Sequence, residues 1–310
     1  MTGRGFRWLG SGLVASAGAG VLAVTSMMNP VFAYADTVGD AADPTAIGLV
    51  MGGSGDPIPG TEYVDIANSL YIAPNFPDTT YPGVLANGLF TPEGFYPLTG
   101  VNSLPFNYPS ATDGFPSTST SAGQGLEILN DAIRANLNAD PEEATTVFGY
   151  SQSATIASLE MEQLDPSGTQ SGLPAQFVLI GDPNAPNGGL LERFDSLIMP
   201  SLGFNLDGAT PADDFPTVIY SLEYDGAADF PQYPLNFLAD LNAVIGFALI
   251  HTTYLGLTPA QIATAIKLPT SGATETTYYM IPTTDLPLLD PVRDIPVIGN
   301  PIADLLQPDL

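Results

Sequence analysis

The chain has 310 residues, of which 45% are apolar and only 13% charged, so it can bury one large core or a core plus a cap and does not read as disordered. Six basic residues stand against 33 acidic ones, a net charge of −27, which argues against nucleic acid as a partner. There is no cysteine and one histidine, His251. Disulfides, thiol catalysis and thiolate or multi-histidine metal sites are thereby excluded, no metal or other cofactor is called for, and chemistry is left to hydroxyls, carboxylates, one imidazole and backbone amides.

The first residues carry Arg4 and Arg7, a long Ala/Gly/Val/Leu stretch, Pro30, and then Ala33-Tyr34-Ala35. That order predicts an export segment over residues 1 to 35, either a signal peptide cleaved after Ala35 or an uncleaved N-terminal anchor. In both cases the remainder, residues 36 to 310, is one domain facing outward, secreted or held at the cell envelope. It keeps 4 basic and 33 acidic residues, a charge of −29 that suits solubility there.

Residues 46 to 51 form an apolar run ending at Gly52-Gly53-Ser54-Gly55, a buried strand entering a tight loop. Over residues 121 to 138, Leu126, Leu129, Ile133 and Leu137 recur at three and four residues and predict an amphipathic helix. Residues 144 to 148 read as a strand, 149 to 151 as a turn, 154 to 164 as a helix, and 176 to 180 and 216 to 222 as further strands. Apolar strands without in/out alternation, interleaved with helices, predict an α/β fold whose mostly parallel sheet is covered by helices on both faces. Ligands in such folds sit at the carboxyl ends of the strands. Beyond about residue 258 the chain is rich in Pro, Thr and Leu and is expected to form an extended strap, or a lid, packed on the main domain.

Gly149-Tyr150-Ser151-Gln152-Ser153 fits the Gly-x-Ser-x-Gly nucleophile elbow except for Ser153 at the last glycine. The pentapeptide alone is a weak signal, but a strand precedes it and a helix follows, as the motif requires. A serine hydroxyl needs an adjacent base, and His251 is the one imidazole on offer. As an isolated residue after an apolar segment it would read as a core histidine; downstream of the elbow it stands in hydrolase order. The acid belongs between them. Asp225, shortly after the 216 to 222 strand, is the first candidate, Asp229 the alternative acid and Asp182 the third. Oxyanion donors are expected from the amide of Gln152 and from the Gly52 to Gly55 loop, which could equally be an ordinary glycine turn.

Gly-Tyr-Ser-Gln after a strand, with the early Gly-Gly-Ser-Gly-Asp-Pro loop, resembles the cutinase-like branch of the α/β hydrolases. The chain more closely resembles the mycobacterial PE-PPE domain family over roughly residues 45 to 310, in the segments 181 to 189, 224 to 231 and 234 to 254 and in the tail from Leu286 to Pro308. The resemblance implies a Ser-Asp-His esterase or acyltransferase acting on acyl esters or cell-envelope lipids, with Ser151, His251 and an Asp within 225 to 229. By analogy with cutinases, Ser54 and Gln152 would line the oxyanion hole. The chain is expected to lack the family's N-terminal PE or PPE module, with the export segment in its place, and without cysteine it cannot form a cutinase-type disulfide. Three functions fit: an exported esterase or lipase, an acyltransferase, and a non-catalytic envelope protein that binds lipid.

Overall fold

The computed structural model describes residues 46–81, 88–94, 121–168, 172–194, 198–199, 204–205, 208–233, 235–272 and 274–309. All of these belong to the second of two compact units, residues 40–310. The predicted export segment lies outside the described residues. Among the described residues, no helix is long and apolar enough to cross a membrane.

In chain order the elements are β1 (Ala46–Val50), α1 (Thr61–Ala67) continuing into a π-helical turn (Asn68–Ile72), β2 (Thr79–Thr80), α2 (Ser121–Ala139), β3 (Thr145–Tyr150), α3 (Gln152–Leu164), β4 (Ala175–Ile180) and α4 (Leu190–Arg193). A small hairpin comes next, β5 (Ile198–Met199) and β6 (Phe204–Asn205), then β7 (Thr217–Leu222), α5 (Phe237–Leu249), α6 (Pro259–Ile262), β8 (Ile266–Lys267), β9 (Thr276–Ile281), α7 (Asp290–Arg293) and α8 (Gly299–Leu306). Seven strands form one sheet in the order β2-β1-β3-β4-β7-β9-β8. Every pairing in it is parallel except β8 with β9.

The unbroken apolar character of these strands follows from burial on both faces. Successive residues of a strand point to opposite sides, and the core divides accordingly. Val147, Phe177, Leu179 and Ile219 pack with Leu126, Leu129 and Ile133 of α2 and Ile156 of α3. Their neighbours Phe148, Val178, Ile180, Val218 and Tyr220 pack with Val64 and Ala67 of α1 and with Tyr71, Ile72 and Tyr254. The spacing of Leu126, Leu129 and Ile133 is thus the buried stripe of α2.

The segment past residue 258 departs from a simple strap. Thr276–Ile281 pairs along its whole length with β7, from Thr217↔Thr276 to Leu222↔Ile281. Its β-branched and aromatic residues suit a pleated surface, and Tyr279 stacks on Tyr220 at 4.9 Å and 14°. The Pro/Leu-rich part beyond it forms short helical turns, because proline interrupts any longer helix. It packs on α5, where Asn242 Oδ1 accepts the Leu288 amide at 2.9 Å.

Candidate active site

Ser151 sits between the end of β3 and the start of α3 with φ 58° and ψ −116°, a strained conformation for a residue with a side chain. Two small neighbours permit the turn. A Cβ at Gly149 would lie 2.7 Å from the Ser153 carbonyl oxygen and 2.9 Å from Ala154 Cα, so only glycine fits there. Ser153, which departs from the motif, is fully buried, and its hydroxyl accepts the Tyr150 amide at 2.8 Å and donates to the Tyr150 carbonyl at 3.1 Å. The extra hydroxyl therefore closes the turn rather than obstructing it.

His251 lies just past α5, 5% exposed, with Nε2 2.7 Å from Ser151 Oγ. Its Nδ1 is 2.9 Å from both carboxylate oxygens of the fully buried Asp225. An ionised carboxylate only accepts, so the proton belongs on Nδ1 and Nε2 is left to accept from the serine. Asp225 also accepts the Ala227 amide at 2.9 Å and the Tyr254 hydroxyl at 2.7 Å. Burial, with the Asp225 charge as a second cause, pushes the Tyr254 hydroxyl well up, so it remains a donor. The Tyr150 hydroxyl, also raised mainly by burial, donates to the His251 carbonyl.

Glycines let these segments touch. A Cβ at Gly246 would stand 1.9 Å from the Tyr224 carbonyl oxygen, and one at Gly226 would stand 1.9 Å from that of Ala243, so α5 lies directly on the loop that carries Asp225. Gly181, at φ +54°, leaves room for the imidazole, since a Cβ there would be 3.1 Å from His251 Cε1.

The other two candidate acids are placed elsewhere. Asp229 accepts the Tyr224 amide at 2.8 Å and closes the turn around Asp225. Asp182 is fully buried, accepts from the Asn184 amide at 2.9 Å and the Thr210 hydroxyl at 2.6 Å, and burial pushes it up to about 6.

Ser54 and Gln152 are brought together. Gln152 Nε2 donates to Ser54 Oγ and to the Gly94 carbonyl, each at 3.0 Å, and its Oε1 accepts from Ser121 Oγ at 2.7 Å. The Gly94 amide donates to Ser121 Oγ at 2.7 Å, and the Gly55 amide donates to the Glu93 carbonyl at 2.8 Å. The early glycine loop is thereby tied to the N-terminal ends of α2 and α3. As the first residue of α3, Gln152 has a backbone amide without an intrahelical acceptor, the type of donor an oxyanion needs. The Glu93 carboxyl behind this loop is fully buried and accepts from Thr91 at 2.5 Å, and burial pushes it up to about 8.

A cavity of about 1000 Å³ opens elsewhere, walled by Arg193, Tyr224, Asp229, Arg293 and Asp304 among others, with none of Ser151, His251, Ser54 or Gln152 in its lining. It is not the serine's own cleft. Sequence reasoning missed Tyr254, Tyr150, Ser121 and Glu93. Only the position of Tyr254, three residues after the histidine, hinted at its role.

Residues 82–310 match the PE-PPE domain model. "Uncharacterized PPE family protein PPE28" of Mycobacterium tuberculosis is 48% identical over 87% of this chain and 39% of its own length. "Esterase PE16" of the same organism is 43% identical over 84% of this chain and 46% of its own length. "Diacyltrehalose acyltransferase Chp2", also from M. tuberculosis, is 29% identical over 88% of this chain and 75% of its length. The chain thus spans less than half the length of the first two relatives.

Proposed function

The chain belongs to the PE-PPE domain family, and we propose that it is a serine esterase of the α/β-hydrolase type, exported from the cell, with Ser151 as nucleophile, His251 as general base and Asp225 as the acid. One observation carries the proposal: the continuous hydrogen-bonded line from Ser151 Oγ through both nitrogens of His251 to Asp225, with distances of 2.7 and 2.9 Å.

In the proposed reaction Ser151 Oγ attacks the ester carbonyl while His251 Nε2 takes its proton. The carbonyl oxygen becomes an oxyanion, stabilised by the Gln152 amide and a donor of the Ser54 loop. As the C–O bond to the leaving alcohol breaks, His251 returns the proton to that alcohol and the acyl group stays on Ser151. A water then attacks the acyl-enzyme, giving its proton to His251; the bond from the acyl carbon to Ser151 Oγ breaks, His251 returns the proton to that oxygen, and the carboxylic acid leaves. Asp225 keeps the imidazole in the required tautomer and offsets its transient positive charge. Export is supported by the order of residues 1 to 35 and by the acidic composition of residues 36 to 310.

The relative named an acyltransferase favours a second reading, in which an alcohol replaces water in the second half. Turnover of p-nitrophenyl esters by residues 36–310, with Ser151→Ala alongside, tests the first reading. Activity lost in the variant supports it, and equal release from both proteins counts against it. Transfer to an added alcohol in preference to water would move the assignment to the second.

A further inference from the structure

Helix α5 hides one side and shows an apolar one. Asn242, Ala243 and Gly246 are buried on the side that meets the Asp225 loop and the C-terminal turns. Phe237, Leu241, Val244 and Ala248 recur at four, three and four residues, the spacing of a single helical face. Phe237 is 74% and Val244 61% exposed. Asp240 is the one charged residue in the helix, within a chain that carries 33 acidic residues. This apolar stripe borders Phe247, whose ring stacks on the His251 imidazole at 5.0 Å and 15°.

From the geometry of this stripe we infer that α5 binds the acyl chain of the substrate, which makes the preferred substrates long-chain acyl esters. The inference rests on the esterase reading. Continuity with the imidazole identifies the occupant: a chain whose carbonyl is at Ser151 meets Phe247 first and then the rest of the stripe. The ten helical rises from Phe247 back to Phe237 cover about 15 Å, the reach of an extended acyl chain of roughly a dozen carbons. The surface is also fixed in place, because the backbone contacts at Gly226 and Gly246 hold α5 against the acid loop, and a preformed apolar track binds a flexible chain at a lower ordering cost. An anionic membrane is a poorer occupant, since a net charge of −27 opposes approach.

Val244→Asn and Phe237→Ser, made separately, leave the hydrogen-bonded line untouched and test the inference through chain-length dependence. For p-nitrophenyl dodecanoate kcat/KM should fall about tenfold or more, while for the butanoate it should stay within about twofold. Calorimetric binding of dodecanoate to Ser151→Ala, with and without Val244→Asn, gives a readout independent of turnover and should weaken by a similar factor. Equal effects on both esters, or none on either, would overturn the inference. So would a wild-type dimer, seen by sedimentation, that Val244→Asn turns to monomer with the chain-length profile unchanged, since the stripe would then be a self-association surface. If no ester is turned over but dodecanoate binding still depends on Val244, the esterase reading falls and the acyl surface stands. If esters are turned over and dodecanoate binding ignores Val244, the acyl surface alone falls.

Discussion

The Tyr254 hydroxyl donates to Asp225 Oδ2 at 2.7 Å while accepting the Leu222 amide at 2.8 Å, so one buried side chain ties the Asp225 carboxylate to the end of β7. Together with the Ala227 amide and the His251 ring, it surrounds the carboxylate with hydrogen-bond donors that fix its orientation. Tyr254→Phe removes one bond to a charged group, worth about 1.5–3 kcal/mol. We expect kcat to fall roughly tenfold with KM nearly unchanged, since the bond matters most when the imidazole is charged. A change confined to KM would assign Tyr254 to substrate binding instead.

Asp225→Asn and Asp229→Asn separate the two neighbouring carboxylates. An amide at Asp225 no longer enforces a proton on Nδ1, and the wrong tautomer lowers kcat on the order of 10⁴-fold. An amide at Asp229 still offers an oxygen to the Tyr224 N–H, so ester turnover should stay within about threefold, given that the bond it preserves is the one the structure displays. Comparable losses in both variants would contradict the assignment of the acid.

Gly246→Ala pushes a methyl to 1.9 Å from the Tyr224 carbonyl oxygen, a backbone atom with little freedom to retreat. The overpacking should cost about 1–3 kcal/mol and displace α5, lowering both the thermal midpoint and kcat. Gly172→Ala, where a Cβ meets nothing within 4 Å, is the control and should leave both unchanged. Thermal unfolding of the two variants checks the contrast.

Glu160, fully buried on α3, accepts from Asn130 Nδ2 at 2.8 Å, and burial pushes its carboxyl up to about 8. The unfolded chain ionises this group near its ordinary value of 4.5, whereas the folded protein holds the proton until about pH 8. The stability tied to this proton is therefore full below pH 4.5 and is lost as pH rises from there towards 8. Glu160→Gln keeps the acceptor for Asn130 and removes the titration. Its thermal midpoint should exceed that of the wild type by a margin that grows between pH 5 and pH 8, and a margin independent of pH would refute this role for Glu160.

Periodicity made the central βαβ frame legible: the runs around β1, β3, β4 and β7 and the stripe of α2 all have counterparts in the structure within one or two residues. The elbow was visible because its strand, turn and helix are consecutive in sequence. Thr276–Ile281 was not recognised as a strand because the Pro, Thr and Leu around it dominated the composition, while its pairing partner β7 lies more than 50 residues earlier. Tyr254, Ser121 and Glu93 were illegible for a related reason. Tyr254 and Ser121 act through side-chain hydrogen bonds to Asp225 and Gln152, which the fold brings near, while Glu93 meets the glycine loop through its backbone carbonyl and its carboxyl accepts from Thr91 two residues away; a lone tyrosine, serine or glutamate carries no local pattern. The preference for Asp225 over Asp229 was only partly readable, since both come soon after β7 and only the loop's turn decides which carboxylate faces the imidazole.

The most direct measurement is covalent labelling of residues 36–310 with a fluorophosphonate, located by mass spectrometry. One phosphonyl adduct is expected, on the peptide containing Ser151, absent from Ser151→Ala and formed far more slowly in His251→Ala. Labelling that persists in Ser151→Ala, or that proceeds at the same rate without His251, would contradict the central claim that this histidine activates this serine.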